Sequence, residues 1–346
     1  MKIIIFGAGA IGSYFGASLL LGGNEVIFLE REPAVGILKR SGITMKRKGL
    51  VQKVSGLRIF TDYEEITRLG PFDFGILAVK SYDTQSFIEG ISKHKNTLPP
   101  ILSLQNGVAN EDMLAAFIGR ERVIAGSVAT AIGREGTGEI VVEKLRGVGI
   151  AGSSGLVSEI VKVFNESGLI AKSYPRILDM KWSKMLTNLQ ANASSAILNM
   201  LPGEIYANRE LYLLEMEQLR ETLKVMRAQE IKVVDLPGTP VRLLAAGSGF
   251  PVWLGQPIIG SVLGKGRGDK QPSFLIEIQN KTGKSEVGFL NGAVVSYGKG
   301  KDISTPVNSV LTNTLLGIVS GNLDRQKFDH QPERLLDLVR IEKAKV

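Results

Sequence analysis

The strand signal Lys2–Phe6 runs directly into Gly7-Ala8-Gly9-Ala10-Ile11-Gly12, and that string into a buried helical pattern over Ile11–Leu21. No other feature restricts the fold as much. In a chain with 40 glycines a G-x-G-x-x-G string is weak by itself. Strand, string and helix in this order, however, form the first turn of a dinucleotide-binding βαβ unit. Each glycine has its own duty. Gly7 permits the tight turn, Gly9 lets the backbone approach a pyrophosphate, and Gly12 lets the helix pack closely on the sheet. Ala10 and Ile11 stand at the helix N-terminus, where backbone N–H groups and the helix dipole favour phosphate charge. Gly7, Gly9, Ala10, Ile11 and Gly12 are therefore the candidate pyrophosphate-binding residues.

The second strand signal, Glu25–Leu29, ends on Leu29-Glu30-Arg31, where a dinucleotide's adenosine ribose is expected. The two polar residues give opposite advice. A glutamate there suits the ribose hydroxyls of NAD, whereas an arginine pairs with the 2′-phosphate of NADP. Lys39, Arg40 and Lys46 nearby favour NADP, with Arg31 as its ligand, and NAD stays open.

Further apolar runs at Phe74–Val79, Ile101–Leu104 and Val123–Ala129 alternate with helix-compatible segments or loops. This is the pattern of a parallel sheet covered on both faces. Glu139–Glu143 and Gly147–Ala151, joined by Lys144-Leu145-Arg146, read as an appended antiparallel hairpin. A helix over Ser158–Glu166 and a strand near Leu169–Ser173 complete this half. Beyond Pro175 the pattern is mainly helical: Asp179–Leu198, Arg209–Gln229, Ser285–Tyr297 and Pro306–Gly317. The expected fold is α/β, a Rossmann-like doubly wound parallel sheet over residues 1–175 followed by an all-helical domain over 176–346. The length, 346 residues, suits two such domains.

Composition narrows the chemistry. There is no cysteine, which excludes disulfides, thiolate nucleophiles and cysteine-bound metals. His94 and His330 are the two histidines; they lie far apart and no metal site is expected. Forty-two basic against 34 acidic residues give a net charge of +8. The basic residues are mostly dispersed among acidic ones, apart from clusters at Lys39-Arg40, Lys46-Arg47-Lys48 and the C-terminal Arg340, Lys343 and Lys345. None is interleaved with aromatics, so a small anionic substrate is favoured over nucleic acid. Two uncharged apolar runs could pass for membrane segments. Glycines 7, 9, 12 and 16 interrupt the first, Ile3–Asn24. Gly247, Gly249, Pro251, Gly255, Pro257 and Gly260 break the second, Leu243–Gly264, so neither forms a continuous spanning helix. The expectation is a cytoplasmic protein without a membrane partner. The Gly/Pro-rich stretch Leu236–Pro272 is expected to be buried or to cover a site, and its apolar part also suits a homo-oligomer interface.

Lys184, Asn188 and Asn192 are spaced by four residues on the expected helix Asp179–Leu198, which lines them up on one face. The stripe holds one ammonium and two amides between apolar flanks, Met185, Leu186, Leu189 and Ala196. It is expected to line a cleft rather than face solvent. Reducing a ketone creates an alkoxide, which a lysine can protonate or stabilise while amides orient the substrate. Lys80 and Asn106 follow strand ends, where open α/β sheets bind ligands. Plainer readings exist: Lys80 as a solvated strand end, Asn106-Gly107 as a turn, and Ser285 as a cap for a dipole-favoured Glu286.

Several segments together carry a resemblance: the glycine loop, Ala78-Val79-Lys80-Ser81, Leu104-Gln105-Asn106-Gly107, Lys184-Met185-Leu186-Thr187-Asn188, Ser285-Glu286 with Asn291-Gly292, and Thr305-Pro306-Val307-Asn308. Over most of its length the chain resembles the 2-dehydropantoate 2-reductase (ketopantoate reductase) family. The resemblance implies NADPH-dependent reduction of a 2-oxo acid in pantothenate and coenzyme A biosynthesis. Lys184 would be the general acid and Glu286 part of the substrate site. Lys80 would hold the cofactor, and Asn106 would stand at the nicotinamide–substrate junction. The family's substrate-carboxylate serine usually lies twelve residues before the glutamate, but here Phe274 occupies that slot and Ser273 lies thirteen before. A one-residue insertion around Gln279–Gly283 would restore the contact. Two other readings share these residues: reduction of a different 2-oxo acid or related carbonyl compound, and a catalytically silent dinucleotide-binding regulator.

Overall fold

β1 (Lys2–Phe6) is apolar at nearly every position because both of its faces are covered. Ile3 and Ile5 enter one core with Phe15 and Phe164, while Ile4 and Phe6 enter another with Phe87 and Leu114. Burying each such side chain stabilises the fold by about 1.5–3 kcal/mol. The following strands are β2 (Glu25–Leu29), β3 (Ile43–Arg47), β4 (Leu50–Val54), β5 (Arg58–Phe60), β6 (Phe74–Leu77), β7 (Ile101–Ser103), β8 (Val123–Val128), β9 (Ala131–Gly136), β10 (Glu139–Lys144), β11 (Val148–Ala151) and β12 (Ala171–Ser173). This computed structural model describes residues 1–260 and 271–345.

The main sheet has the order β12-β11-β8-β7-β6-β1-β2-β5. It is parallel from β8 through β5, and β11 joins antiparallel to β8. The strand order reverses beside β1, the switch point at which doubly wound sheets bind dinucleotides. The fold is thus the α/β arrangement expected, with a helical region after it.

The expected hairpin is not formed. β10 pairs with β9 and β3 in a separate four-stranded sheet, whereas β11 belongs to the main sheet. The chain changes sheets at Arg146-Gly147, whose N–H groups both donate to Thr130 Oγ1, at 3.2 and 2.8 Å. Gly147 has φ +125°, a conformation that suits glycine and carries the chain past the turn. The small sheet itself, β4-β3-β10-β9, was not expected from the sequence.

Two compact units divide the chain, Met1–Lys181 with Leu236–Thr239, and Trp182–Asp235 with Pro240–Val346. The boundary falls inside the helix Ile177–Leu189 rather than at Pro175. The first turn of that helix belongs to the first unit: Met180 lies under Gly149 of β11, and Lys181 hydrogen-bonds to Gln105.

In the second unit the long helix Arg209–Ala228 packs against Asn291–Lys299, Pro306–Val319 and Pro332–Lys343. Its buried face is unusually polar. Glu215, Gln218 and Thr222 are fully buried and Glu221 nearly so. The expected single helix Asp179–Leu198 is two, Ile177–Leu189 and Ala193–Leu198. Ala191 between them takes a left-handed φ of +45°. Glu215 holds the break, accepting from Ala191 N–H at 2.7 Å and Ser194 Oγ at 2.5 Å. The expected helix Ser285–Tyr297 is likewise divided into a 3-10 turn, Glu286–Phe289, and the helix Asn291–Lys299.

Among the described residues no helix is long and apolar enough to cross a membrane. The stretch Leu236–Pro272 lies partly outside them. Its described part contains short helices at Val241–Gly247 and Val252–Gly255. It is not wholly buried, since Leu243, Trp253 and Ile258 stand exposed.

Candidate active site

In the first unit the site starts at the C-terminal end of β1. Gly7 has φ +94° and donates its N–H to Leu29 O at 3.0 Å, which ties the turn to the end of β2. A Cβ at Gly12 would lie 1.8 Å from Gly7 O, so no side chain fits where the helix Ala10–Leu21 meets the turn. At Gly9 the reverse holds. An added Cβ would meet nothing within 4 Å, so glycine is not required there by the protein's own packing. The open space beside a helix N-terminus whose cap makes no side-chain bond fits an incoming pyrophosphate. Ala10 and Ile11 form the first turn of this helix, both half-buried.

Glu30 is half-buried and already engaged by backbone. Its Oε2 accepts from Ala8 N–H at 2.6 Å and its Oε1 from Arg31 N–H at 2.8 Å. The Arg31 side chain is exposed. Lys80 is exposed just beyond β6, preceding a 3-10 turn at Ser81–Asp83. Asn106 is half-buried beyond β7. Its carbonyl accepts from Ser81 Oγ at 2.9 Å and Asn110 Nδ2 at 2.6 Å, so the loops carrying Lys80 and Asn106 are joined. Gln105 strengthens the join by donating to Thr84 Oγ1 at 2.8 Å and Val79 O at 3.2 Å.

In the second unit, Lys184 and Asn188 share a face of the helix Ile177–Leu189, both half-buried. Asn192 does not continue that face as the four-residue spacing implied, because the helix breaks before it. It is buried and turned toward the start of another helix, Ser273–Gln279. Its Nδ2 donates to Ser273 Oγ at 3.1 Å, and its Oδ1 accepts from Phe274 N–H at 3.1 Å. Ser273 is thus the residue brought to the asparagine, while Phe274 is buried in the core. The serine offset counted in the sequence does not keep the serine from Asn192.

Glu286 is buried, and its backbone N–H donates to Glu277 Oε2 at 3.1 Å. Ser285 Oγ accepts from Val287 N–H at 3.2 Å, so the capping role expected of Ser285 is also present. Glu277, one helical turn after Ser273, was missed by the sequence reading. So was the network behind the helix break: Glu215 with Gln218, then Asn291 and Asn308, and Glu221 accepting from Val307 and Asn308 N–H. Burial pushes the Glu221 carboxyl above its usual range, and the hydrogen bonds from Asn308 and Val307 partly offset this. The only sequence signal for this network was the spacing of Glu215, Gln218, Glu221 and Thr222 on one helix. Among the described residues no group of three or more histidine, aspartate and glutamate side chains could hold a metal.

Residues 3–152 match the family model described as "Ketopantoate reductase PanE/ApbA", and residues 176–318 match its C-terminal counterpart. The 2-dehydropantoate 2-reductase of Pyrococcus abyssi is 28% identical over 329 residues, covering 92% of this chain and 97% of the relative. The crystal structure of a PanE/ApbA family ketopantoate reductase from Ralstonia eutropha JMP134 superposes with a TM-score of 0.77 at 25% identity, covering 94% of this chain and all of that one. The fold is shared as closely with a D-mandelate dehydrogenase solved with NADH and anilino(oxo)acetate, with a TM-score of 0.76 at 23% identity over 93% of this chain and all of that one. A glycine loop at the switch point, a lysine–asparagine helix after the sheet and both family models in the expected order lead to one conclusion: the chain belongs to the ketopantoate reductase family.

Proposed function

We propose that this protein reduces 2-dehydropantoate (ketopantoate) to pantoate with NADPH, a cytoplasmic step of pantothenate and coenzyme A biosynthesis. The observation that carries this reading is the hydrogen-bonded pair Asn192–Ser273. It brings together a hydroxyl and an amide, both able to donate, which supports Ser273 as the counterpart of the family's carboxylate-binding serine. NADPH, when bound at the glycine loop, supplies the hydride. Gly7, Gly9, Ala10, Ile11 and Gly12 receive the pyrophosphate, and Lys80 adds a positive charge on the same edge of the sheet. Arg31 holds the 2′-phosphate. Support for NADPH over NADH comes from Glu30, both of whose carboxylate oxygens already accept backbone N–H groups, and from the exposed guanidinium beside it.

The remaining roles combine this chemistry with what the family resemblance implies. Lys184 donates a proton to the substrate oxygen as negative charge develops there, and its ammonium stabilises that charge beforehand. Asn188 orients the keto group without competing for the proton, and Asn192 and Ser273 bind the carboxylate. Asn106 positions the reacting carbonyl, and Glu286 accepts the substrate's hydroxyl, a role suited to a buried carboxylate.

A second reading, reduction of a different 2-oxo acid, is favoured by the nearly equal likeness to the D-mandelate dehydrogenase fold. One assay separates them: NADPH and NADH oxidation measured against ketopantoate, arylglyoxylates and short aliphatic 2-oxo acids. Ketopantoate with NADPH is expected to give the highest kcat/KM. A higher value for an arylglyoxylate establishes the second reading, and no turnover with any of them leaves the non-catalytic dinucleotide-binding role.

A further inference from the structure

An ion pair unrelated to any motif lies inside the first unit. Lys181 and Glu111 have side chains only 2% and 3% exposed, and Nζ is 2.8 Å from Glu111 Oε1. The ammonium also donates to Gln105 O at 2.7 Å and approaches Gly126 O at 3.5 Å. A carboxylate oxygen and two backbone carbonyls thus surround its three N–H groups. Glu111 is served less well, since neither of its carboxylate oxygens has a partner in hydrogen-bond geometry among the described residues, and the ammonium holds it as an ion pair. A buried pair of this kind is weak evidence for stability, because an apolar pair of similar volume often serves as well.

What the pair holds suggests its use. Gln105 O belongs to the peptide that leads into Asn106. The carbonyl of the next peptide, Asn106 O, is held by Ser81 and Asn110. Both peptide planes flanking Asn106 are therefore fixed, one by neutral donors and the other by the Lys181 ammonium. Glu111 lies in the first turn of the helix Asn110–Ile118, next to the residue that holds Asn106 O. The pair thus ties the start of this helix, the end of β7 and β8 to one charged atom.

We propose that Lys181 and Glu111 are positioning residues that set the placement of Asn106, a role that rests on the reductase reading for its catalytic consequence. Neither touches the substrate. They act through the Gln105–Asn106 peptide, and small displacements of a positioning group cost up to about 100-fold in rate.

The test compares Lys181→Met, Glu111→Leu and the double variant with wild type. Three quantities are read: Tm, hydrogen exchange of the Leu104–Asn110 segment, and kcat and KM with NADPH and the best 2-oxo acid. Lys181→Met alone leaves a buried carboxylate unpaired, so its Tm falls. The double variant removes both charges and recovers most of the Tm. If the pair positions Asn106, exchange in the segment stays faster in the double variant and kcat stays about 10-fold or more below wild type, with NADPH affinity within threefold. Lys181→Arg, which keeps the charge, restores part of kcat. A double variant that recovers Tm, exchange and kcat together overturns the proposal, because the pair is then only structural. Should wild type turn over no 2-oxo acid, the reductase reading fails, and the exchange data still decide whether the pair fixes the segment.

Discussion

The two units build their candidate sites from different materials. In the first, the binding groups are largely backbone: a turn at Gly7, the open space at Gly9 and the N–H groups of a helix start, all placed by parallel strands. In the second they are side chains: Lys184 and Asn188 on one helix, Asn192 beyond its break, Ser273 at the start of another helix and Glu286 in a 3-10 turn. They are supported by buried polar residues on the helix Arg209–Ala228. A backbone site tolerates little change in chain geometry but is indifferent to most side chains. A side-chain site depends on each residue, and substitutions there should separate binding from chemistry.

The sharpest test of this contrast is Lys184→Ala. If Lys184 is the general acid, kcat should fall on the order of 10²–10⁴-fold, while NADPH affinity, assigned by the proposal to the first unit, should stay near wild type. Kinetics with calorimetric titration of the nucleotide report both, and a kcat within threefold of wild type would remove Lys184 from the chemistry.

Two glycine substitutions probe the backbone site, with opposite outcomes. Gly9→Asp should weaken NADPH binding by about 100-fold or more, because its carboxylate repels the pyrophosphate. The Tm should change little, since the added Cβ meets nothing within 4 Å. Gly12→Ala places a methyl 1.8 Å from Gly7 O, so it should lower Tm, with nucleotide binding lost as a consequence. Equal Tm values for the two variants would show that the turn adapts more freely than its packing indicates.

If Arg31 holds the 2′-phosphate as proposed, Arg31→Ala should cost about 1.5–3 kcal/mol of NADPH binding. NADH binding should be unaffected. If wild type already prefers NADH, Glu30 governs the ribose despite its backbone partners.

The smallest effects belong to the amides. Asn188→Ala should raise KM severalfold with little change in kcat. Asn192→Ala should do the same and also lower stability by about 1 kcal/mol, because it leaves the Phe274 N–H without its acceptor. An Asn192→Ala variant with unchanged Tm and raised KM would assign this asparagine to the substrate alone.

Legibility followed the same division. The glycine loop, the strand ends at Lys80 and Asn106 and the alternation of strands with helices were readable because each is local: a turn, a run, a period. The helix break at Ala191 was not. Nothing in Gln190-Ala191-Asn192 forbids a helix, and the break exists because Glu215, 24 residues away, takes the Ala191 N–H. The supposed hairpin failed for a related reason. Local pattern identified both strands, but Thr130 and Gly147 send them to different sheets. Ser273 was singled out from the sequence, while its partnership with Asn192 depended on where the broken helix ended.

By itself the sequence determined a doubly wound sheet with a glycine turn at its switch point, and a lysine and amide set in the helical region that follows. These follow from backbone sterics and hydrophobic period, which act over a few residues at a time. The tertiary structure alone decided that Asn192 joins Ser273, that Glu277 stands behind Glu286 and that Lys181 closes on Glu111 and Gln105. Each of those contacts spans from 9 to 81 residues of chain. Buried polar groups take whichever partner the packing of distant elements brings within reach, because leaving one unpaired away from water costs more than bending the local helix.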